Sequence, residues 1–506
     1  MDKLPVEVIS IIADFLVEDN QGDRIASYST ISAKWQQAIE CWTFRRISID
    51  STQLDAVSHI LSFHRRHHIR DLYYSITVPC DESDGHVNGN QRLYSDALSE
   101  ALRKIFQLLA EKDDSVSDRS SMTLHLHEVP PNATHQRTYS GQPPPEYLTS
   151  DIDLVNFDKW PMAHCVSQLV LKEMPRRKLS LVTGFRLAAR LPNLSSITLT
   201  SWEESPPLNP SWRTPVEEKR SALATVLADT YSLASSTLRD VDLRVDSINP
   251  RREFSDYLGP EWRHIWFQCE PPGAHDPLSI TIRRWSRPLS TLTVRGMFAA
   301  SLFWPAENEP PVSIDHEHDG CPRWPNLTKF TVQLSLFGPG DERYFKSWDD
   351  PRPKPADYVD FASPRRTQPD DSAIQPLLAS WAKALAQMPV LLQASVFWNI
   401  PDCRGNDDHW AVSFLAPGTA PERRIHVSLD VWEGNITPEE ARSPRLIVEN
   451  MWHWLPWETT LDSIRETVEH RFPGTELVIL GVDMDHKVTR ANNGWTILQA
   501  MTSRGY

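Results

Sequence analysis

A chain of 506 residues, 40% hydrophobic and 24% charged, can bury a large core, and this composition excludes wholesale disorder. Its 52 Lys and Arg against 67 Asp and Glu leave a formal net charge of -15, which argues against non-specific attraction to nucleic-acid phosphates or anionic membranes. The six cysteines, Cys41, Cys80, Cys165, Cys269, Cys321 and Cys403, form no close pair, which excludes a CxxC metal knuckle and a dense disulfide framework and points to a reducing compartment.

The first element is a helix. Pro5 suits its opening turn, where the missing N–H would be unpaired anyway, and Val8, Ile9, Ile12, Phe15 and Leu16 follow at three- and four-residue spacing as one apolar face. Asp23 is placed to cap a second short helix through Ile25, Tyr28 and Ile31, and Ser32 to open a third in which Trp35, Ile39 and Trp42 point inward. So small a segment supplies little core of its own and must pack against the rest of the chain, a partner, or both. The order of these residues resembles the F-box, the helical module that docks onto the Skp adaptor of cullin-RING (SCF) ubiquitin ligases. Residues 3 to 49 carry the resemblance: Leu4 and Pro5 match the opening Leu-Pro, Val8, Ile12 and Leu16 the apolar positions of the first helix, and Trp35 the tryptophan of the third. Tyr28 and Ala33-Lys34 depart from the family's pattern. The resemblance implies that Leu4, Pro5, Val8, Ile12, Leu16 and Trp35 meet the adaptor or hold the three-helix shape.

From the end of the helical module onward a pattern of apolar-x-x-apolar-x-apolar recurs, starting with Phe44, Ile47, Ile49 and returning at Ile69, Val166, Leu194, Leu238, Leu289 and Leu327. Helical patterns lie between several of these strands, over Tyr94 to Ala110 and over Val216 to Leu233. Alternating strand and helix is the logic of a parallel sheet covered by helices, and the entries Leu191-Pro192-Asn193-Leu194 and Trp324-Pro325-Asn326-Leu327 resemble those of a degenerate leucine-rich repeat. The spacing runs from about 25 residues to twice that, beyond the repeat's period of about 20 to 29, so a non-repeating α/β domain fits the pattern too. The forty prolines cluster between these units, at Pro130 to Pro145, Pro206 to Pro215, Pro305 to Pro311 and Pro351 to Pro369, as stiff loops.

After the last of these loops a helix is expected over Ile374 to Met388, then a strand from Leu391 to Trp398. His409 to Phe414 and Arg424 to Val431 read as neighbouring half-buried strands, followed by a helix from Thr460 to Phe472 and a buried strand over Glu476 to Leu480. In layout this region also resembles the C-terminal part of large fungal F-box proteins. The expected fold is α/β: an N-terminal three-helix F-box (1–50), an irregular leucine-rich-repeat-like strand/helix solenoid (51–350), a charged proline-rich linker (351–372) and an α+β C-terminal region (373–506).

No GxSxG elbow, P-loop, GxGxxG or kinase-type motif set occurs, so no catalytic or cofactor-binding residue is assigned and no enzyme is expected. Asp315-His316-Glu317-His318-Asp319 with Cys321 has the residue types of a zinc site, but it sits in a proline-flanked loop that a solvated polar segment explains equally well, and no metal is assigned. His64-Arg65-Arg66-His67-His68 reads as the polar end of a helix through Val57, Ile60 and Leu61, where positive charge is favourable. Trp452, Trp454 and Trp457 form the densest aromatic patch and line either a recognition surface or a core. Trp202, Trp212, Trp262 and Trp266 are vaguer candidates of the same kind. The resemblance implies a cytosolic or nuclear substrate receptor that binds a Skp-type adaptor, and through it a cullin-RING ligase, while the body grips an unknown protein target. The alternatives are an interaction scaffold that delivers no ubiquitin, or an enzyme whose site is assembled from distant residues. Neither nucleic acid nor membrane is expected as a partner.

Overall fold

The computed structural model describes residues 4–20, 25–59, 65, 67–77, 87–110, 121–129, 154–171, 181–203, 218, 220–228, 237–247, 276–306, 309, 321–335, 338–339, 344–346, 368–401, 407–420, 436–449, 456–482 and 488–491. At the N-terminus, α1 (Val6–Asn20) and α2 (Ala33–Thr43) flank a 3-10 turn over Ile25–Thr30. Ser32 caps α2 as its sequence position predicts: it holds an extended backbone and accepts from the Trp35 N–H. Asp23 lies outside the described residues. Ile9, Ala13, Trp35, Ala38 and Ile39 form a small closed core, and Ile12, Leu16 and Tyr28 pack on its rim. Trp42 is only half-buried, so the inward face of α2 runs through Ala38 instead.

The chain divides into two units, Met1–Ser201 with Ser232–Leu238 and Trp202–Tyr231 with Arg239–Tyr506. In the first, β1 (Arg46–Asp50), β2 (Asp71–Thr77), β3 (Met122–Val129), β4 (Val166–Leu171) and β5 (Ser196–Glu203) pair in parallel in chain order. Alternation decides the two faces. Ile49, Leu72, Tyr74, Ile76, Leu124, Leu126, Leu169, Leu171, Ile197 and Leu199 are buried on one side. On that side lie α3 (Leu54–Ser58), α4 (Val87–Ala110) and α5 (Leu181–Ala188). The Tyr74 hydroxyl donates to the Ala101 carbonyl at 2.9 Å, tying β2 to α4. A Cβ at Gly184 would lie 3.0 Å from Leu199, so a glycine lets α5 approach β5 closely.

The second unit opens with helix α6 (220–228), then β6 (Asp240–Ser247), α7 (Pro277–Trp285), β7 (Thr291–Gly296) and β8 (Lys329–Leu334). A two-stranded pair, β9 (Phe345–Lys346) with β10 (Gln368–Pro369), precedes α8 (Asp371–Leu385), β11 (Gln393–Pro401) and β12 (Asp407–Leu415). The chain ends its described course with α9 (Pro438–Ala441), β13 (Arg445–Glu449), α10 (Glu458–Arg471), β14 (Val478–Val482) and β15 (Val488–Ala491). The parallel run β6-β7-β8-β11 gives way at β12, which is antiparallel to both β11 and β13. The expected neighbour of β12, Arg424 to Val431, lies outside the described residues. β13 pairs with β14 in parallel, and β14 with β15 antiparallel.

All seven motif matches fall on strands. In five of the seven the first apolar residue sits ahead of the strand and closes the core: Ile69, Leu194, Leu238, Leu289 and Leu327 are at most 5% exposed. A hydroxyl often stands beside it. Ser195 Oγ donates to the Ser167 carbonyl and Thr328 Oγ1 to the Ser290 carbonyl, both at 3.0 Å, binding each strand entry to the one before. Asn193, from Leu191-Pro192-Asn193-Leu194, donates to the His164 carbonyl at 2.7 Å in the same manner. The architecture is therefore mixed α/β with a mostly parallel sheet in each unit, as the alternation of elements implies.

Candidate functional site

The apolar residues of α1 form two stripes, not one. Ile9 and Ala13 face the small core with Ile12 and Leu16 beside them, whereas Leu4, Val8, Ile11 and Phe15 are 37%, 39%, 56% and 63% exposed. On α1, Val8, Ile11 and Phe15 follow a spacing of three and four residues, which places them on a single line roughly a third of the helix circumference away from the core stripe, and Leu4, just ahead of the helix, continues the spacing. Lys34 Nζ donates to the Leu4 carbonyl at 3.1 Å, which ties Leu4 to the start of α2. Scattered surface leucines are ordinary, and an ordered apolar line on one small module is the less common arrangement. Of the six residues nominated from the sequence, Leu4 and Val8 lie on this line, and Pro5 stands at the entry to α1 with its carbonyl accepting from Ile9 N–H. Ile12 and Leu16 pack at the rim of the core, and Trp35 is inside it. Ile11 and Phe15 are the members that sequence reasoning missed or misplaced. Their own spacing to Val8 and Leu4 was the available signal.

The module is fastened to the strands that follow it. Arg65 pairs with Glu40 at 2.8 Å and lies 5.0 Å over the Phe44 ring, and Cys41 Sγ is 3.1 Å from His68 Nδ1. The described members of the histidine cluster thus clasp the end of α2. Burial, with the Glu40 charge adding to it, pushes the Cys41 thiol above its ordinary pKa.

Opposite its helices the first unit presents a polar face on which Tyr73, His125 and His127 are half-buried and Ser75 is buried. Tyr73 stacks on His125 with centroids 4.2 Å apart, and Ser75 Oγ is 2.6 Å from His127 Nε2. A hydroxyl bonded to an imidazole invites comparison with a nucleophile and its base, but the nearby carboxylate has other work. Asp50 accepts from the Thr52 N–H at 2.8 Å, the Thr52 hydroxyl at 2.6 Å and the Thr77 hydroxyl at 2.7 Å. Burial pushes the Asp50 carboxyl up, and those donors outweigh it and hold it below its ordinary pKa. The group is a hydrogen-bonded clasp across β1, β2 and β3.

The strongest zinc candidate, Asp315 to Asp319, lies outside the described residues, and Cys321 is half-buried. Among the described residues no group of three or more His, Cys, Asp or Glu is placed to hold a metal ion, and no helix is long and apolar enough to cross a membrane. Trp457 is 49% exposed ahead of α10, where its N–H donates to Gln375 Oε1 at 2.8 Å, while Trp452, Trp454, Trp212, Trp262 and Trp266 lie outside the described residues. Trp202 stands on β5. Neither a protein-family model nor a curated protein matches the chain.

Proposed function

We propose that this chain is a substrate-receptor subunit of an SCF-type ubiquitin ligase, docking onto a Skp-type adaptor through its N-terminal helices and holding a protein target on its α/β body. The observation that carries this reading is the exposed line Leu4, Val8, Ile11 and Phe15 on a module whose own core is already complete. Apolar side chains left outside a closed core favour a partner that covers them, at about 25 cal/mol per Å² of apolar surface removed from water. The mechanism is positional. The adaptor links the receptor to the ligase, whose separate catalytic parts transfer ubiquitin, and the receptor raises the local concentration of the target's lysines beside them.

Co-expression of the full chain with a Skp-type adaptor, followed by size-exclusion chromatography, tests the reading. A stoichiometric complex is expected, lost in a chain lacking residues 1 to 50. Ile11→Asp and Phe15→Asp should each weaken it at least tenfold without changing the melting temperature, since both side chains are solvent-facing in the free protein. Trp35→Ala should act differently, unfolding the module by removing its largest core side chain, at a cost of about 3–5 kcal/mol. Undiminished adaptor binding by the two aspartate variants would sink the assignment. A complex with the adaptor that never recruits a cullin would identify an interaction scaffold instead.

A further inference from the structure

The acidic residues of α1 are as ordered as its apolar ones. The helix holds four carboxylates and no basic residue. At about 100° per residue, Glu7 and Asp14 fall beside the line of Val8, Ile11 and Phe15, on the side away from Ile9 and Ala13, and both are exposed. Around the helix the order is therefore core stripe, apolar line, acidic flank. Seven residues apart, the two carboxylates stand about 10 Å from each other along the axis. Among the described residues neither carboxylate is engaged in an ion pair or a hydrogen bond.

Helix formation accounts for only one of them. Glu7 lies in the first turn, where the helix dipole favours negative charge. Asp14 lies in the middle of the helix, beyond that effect, and aspartate is among the weaker helix formers. The flank also limits what can cover the line. A helix that lies on a membrane surface carries Lys and Arg on its polar face, and α1 has neither. A second copy of α1 likewise offers no basic side chain to answer the flank. What fits is a protein groove that is apolar along its floor and basic along one lip.

We infer that the apolar line and the acidic flank of α1 form one docking surface, which takes a protein groove with an apolar floor and two Lys or Arg side chains about 10 Å apart on its lip. The occupant is the Skp-type adaptor, so the inference rests on the proposed receptor reading and adds the charge that selects the partner. Floor contacts hold the complex, while lip contacts speed its formation and reject grooves with acidic lips.

The test titrates fluorescently labelled adaptor with the full chain, by anisotropy, at 50 mM and 1 M sodium chloride. Glu7→Gln with Asp14→Asn should bind about fivefold more weakly than the wild type at 50 mM, and equally at 1 M, where the Debye length is about 3 Å. Glu7→Lys with Asp14→Lys should lose at least twentyfold at 50 mM. Glu466→Gln with Glu469→Gln removes the same charge from exposed positions of α10 and should change nothing. Equal affinity of the wild type and the Gln/Asn variant at 50 mM, or an equal loss in the α10 control, overturns the inference and leaves the receptor reading standing. Absence of any complex with the wild type removes both. The salt series of the wild type needs no variant to fold, and an affinity that does not fall as salt rises also overturns the inference. Dimerisation of the chain alone, broken by Ile11→Asp, would assign the surface to a second copy instead.

Discussion

Asp276 shows at a single residue how this protein handles buried charge. Its carboxylate caps α7 by accepting from the Ser279 N–H at 2.9 Å, and it receives the Arg220 fork from α6 at 2.9 and 2.8 Å. Arg220 also donates to the Met297 carbonyl at 2.7 Å, so one guanidinium links α6, α7 and the end of β7. Burial alone would push the Asp276 carboxyl up, but Arg220 and Ser279 outweigh it and hold its pKa below the ordinary carboxylate value. A carboxylate with a depressed folded-state pKa contributes stability that is complete above its unfolded pKa and is lost as the pH falls through the folded value. Asp276→Asn should therefore cost about 3–5 kcal/mol at neutral pH, where it strands Arg220, and the loss should shrink below about pH 4. Urea midpoints of the two proteins at pH 7 and pH 3.5 measure this, and an unchanged gap between them would refute it. Gly296 marks a second local constraint at the end of β7. With φ +147°, it brings the strand so close to β6 that a Cβ would lie 2.8 Å from the Val245 carbonyl oxygen, which no other residue type accommodates without strain.

At the scale of the element, each parallel strand separates two tasks by alternation. Leu292 and Val294 of β7 are at most 1% exposed, while Thr291, Thr293 and Arg295 face the other way. Leu292→Ala should accordingly destabilise by about 2–5 kcal/mol and Thr293→Ala by about 0.5 kcal/mol or less. Denaturant titration of the two variants checks the contrast, and comparable losses would mean that both faces are core. The same alternation explains which strands could be read in advance. Ile197 and Leu199 follow Leu194 at the spacing of the motif, and β5 was legible. β3 carries Leu124 and Leu126 in the same phase, but Ser121 stands where the motif needs an apolar residue. β13 was missed for another reason: every one of its five residues is buried, so Leu446-Ile447-Val448 shows no alternation to read. On α1 the periodicity announced a helix correctly, yet two apolar stripes at overlapping three- and four-residue spacings merged into a single expected face.

At the scale of the whole molecule, the N-terminal module has its own small core, and the first unit's strands are buried by their own helices. Among the described residues, the module is fastened to the rest by the Glu40–Arg65 pair, Arg65 over Phe44, and the Cys41–His68 contact. A chain beginning at Arg45 should therefore keep its far-ultraviolet circular dichroism signature of mixed α/β structure and melt cooperatively. Aggregation or loss of the transition would show that the module belongs to the body's core. The two-unit division also departs from a single repeat array. The long parallel run ends where β12 enters antiparallel between β11 and β13, with α8 and α10 packed together nearby.

Local order along the chain was enough to determine the module's helices and the Ser32 cap, the seven motif strands and the alternation of strand with helix, because each depends on periodicity and capping within a few residues. The tertiary structure decided which side of α1 is core, since Ile9 and Ile11 are equally apolar and only the position of Trp35 and Ile39 distinguishes them. It decided that Asp50 serves Thr52 and Thr77, and that Arg244 stands opposite Arg295, 51 positions further along the chain. Strand register and helix packing bring such residues together, and neither is written in the spacing of neighbouring residues.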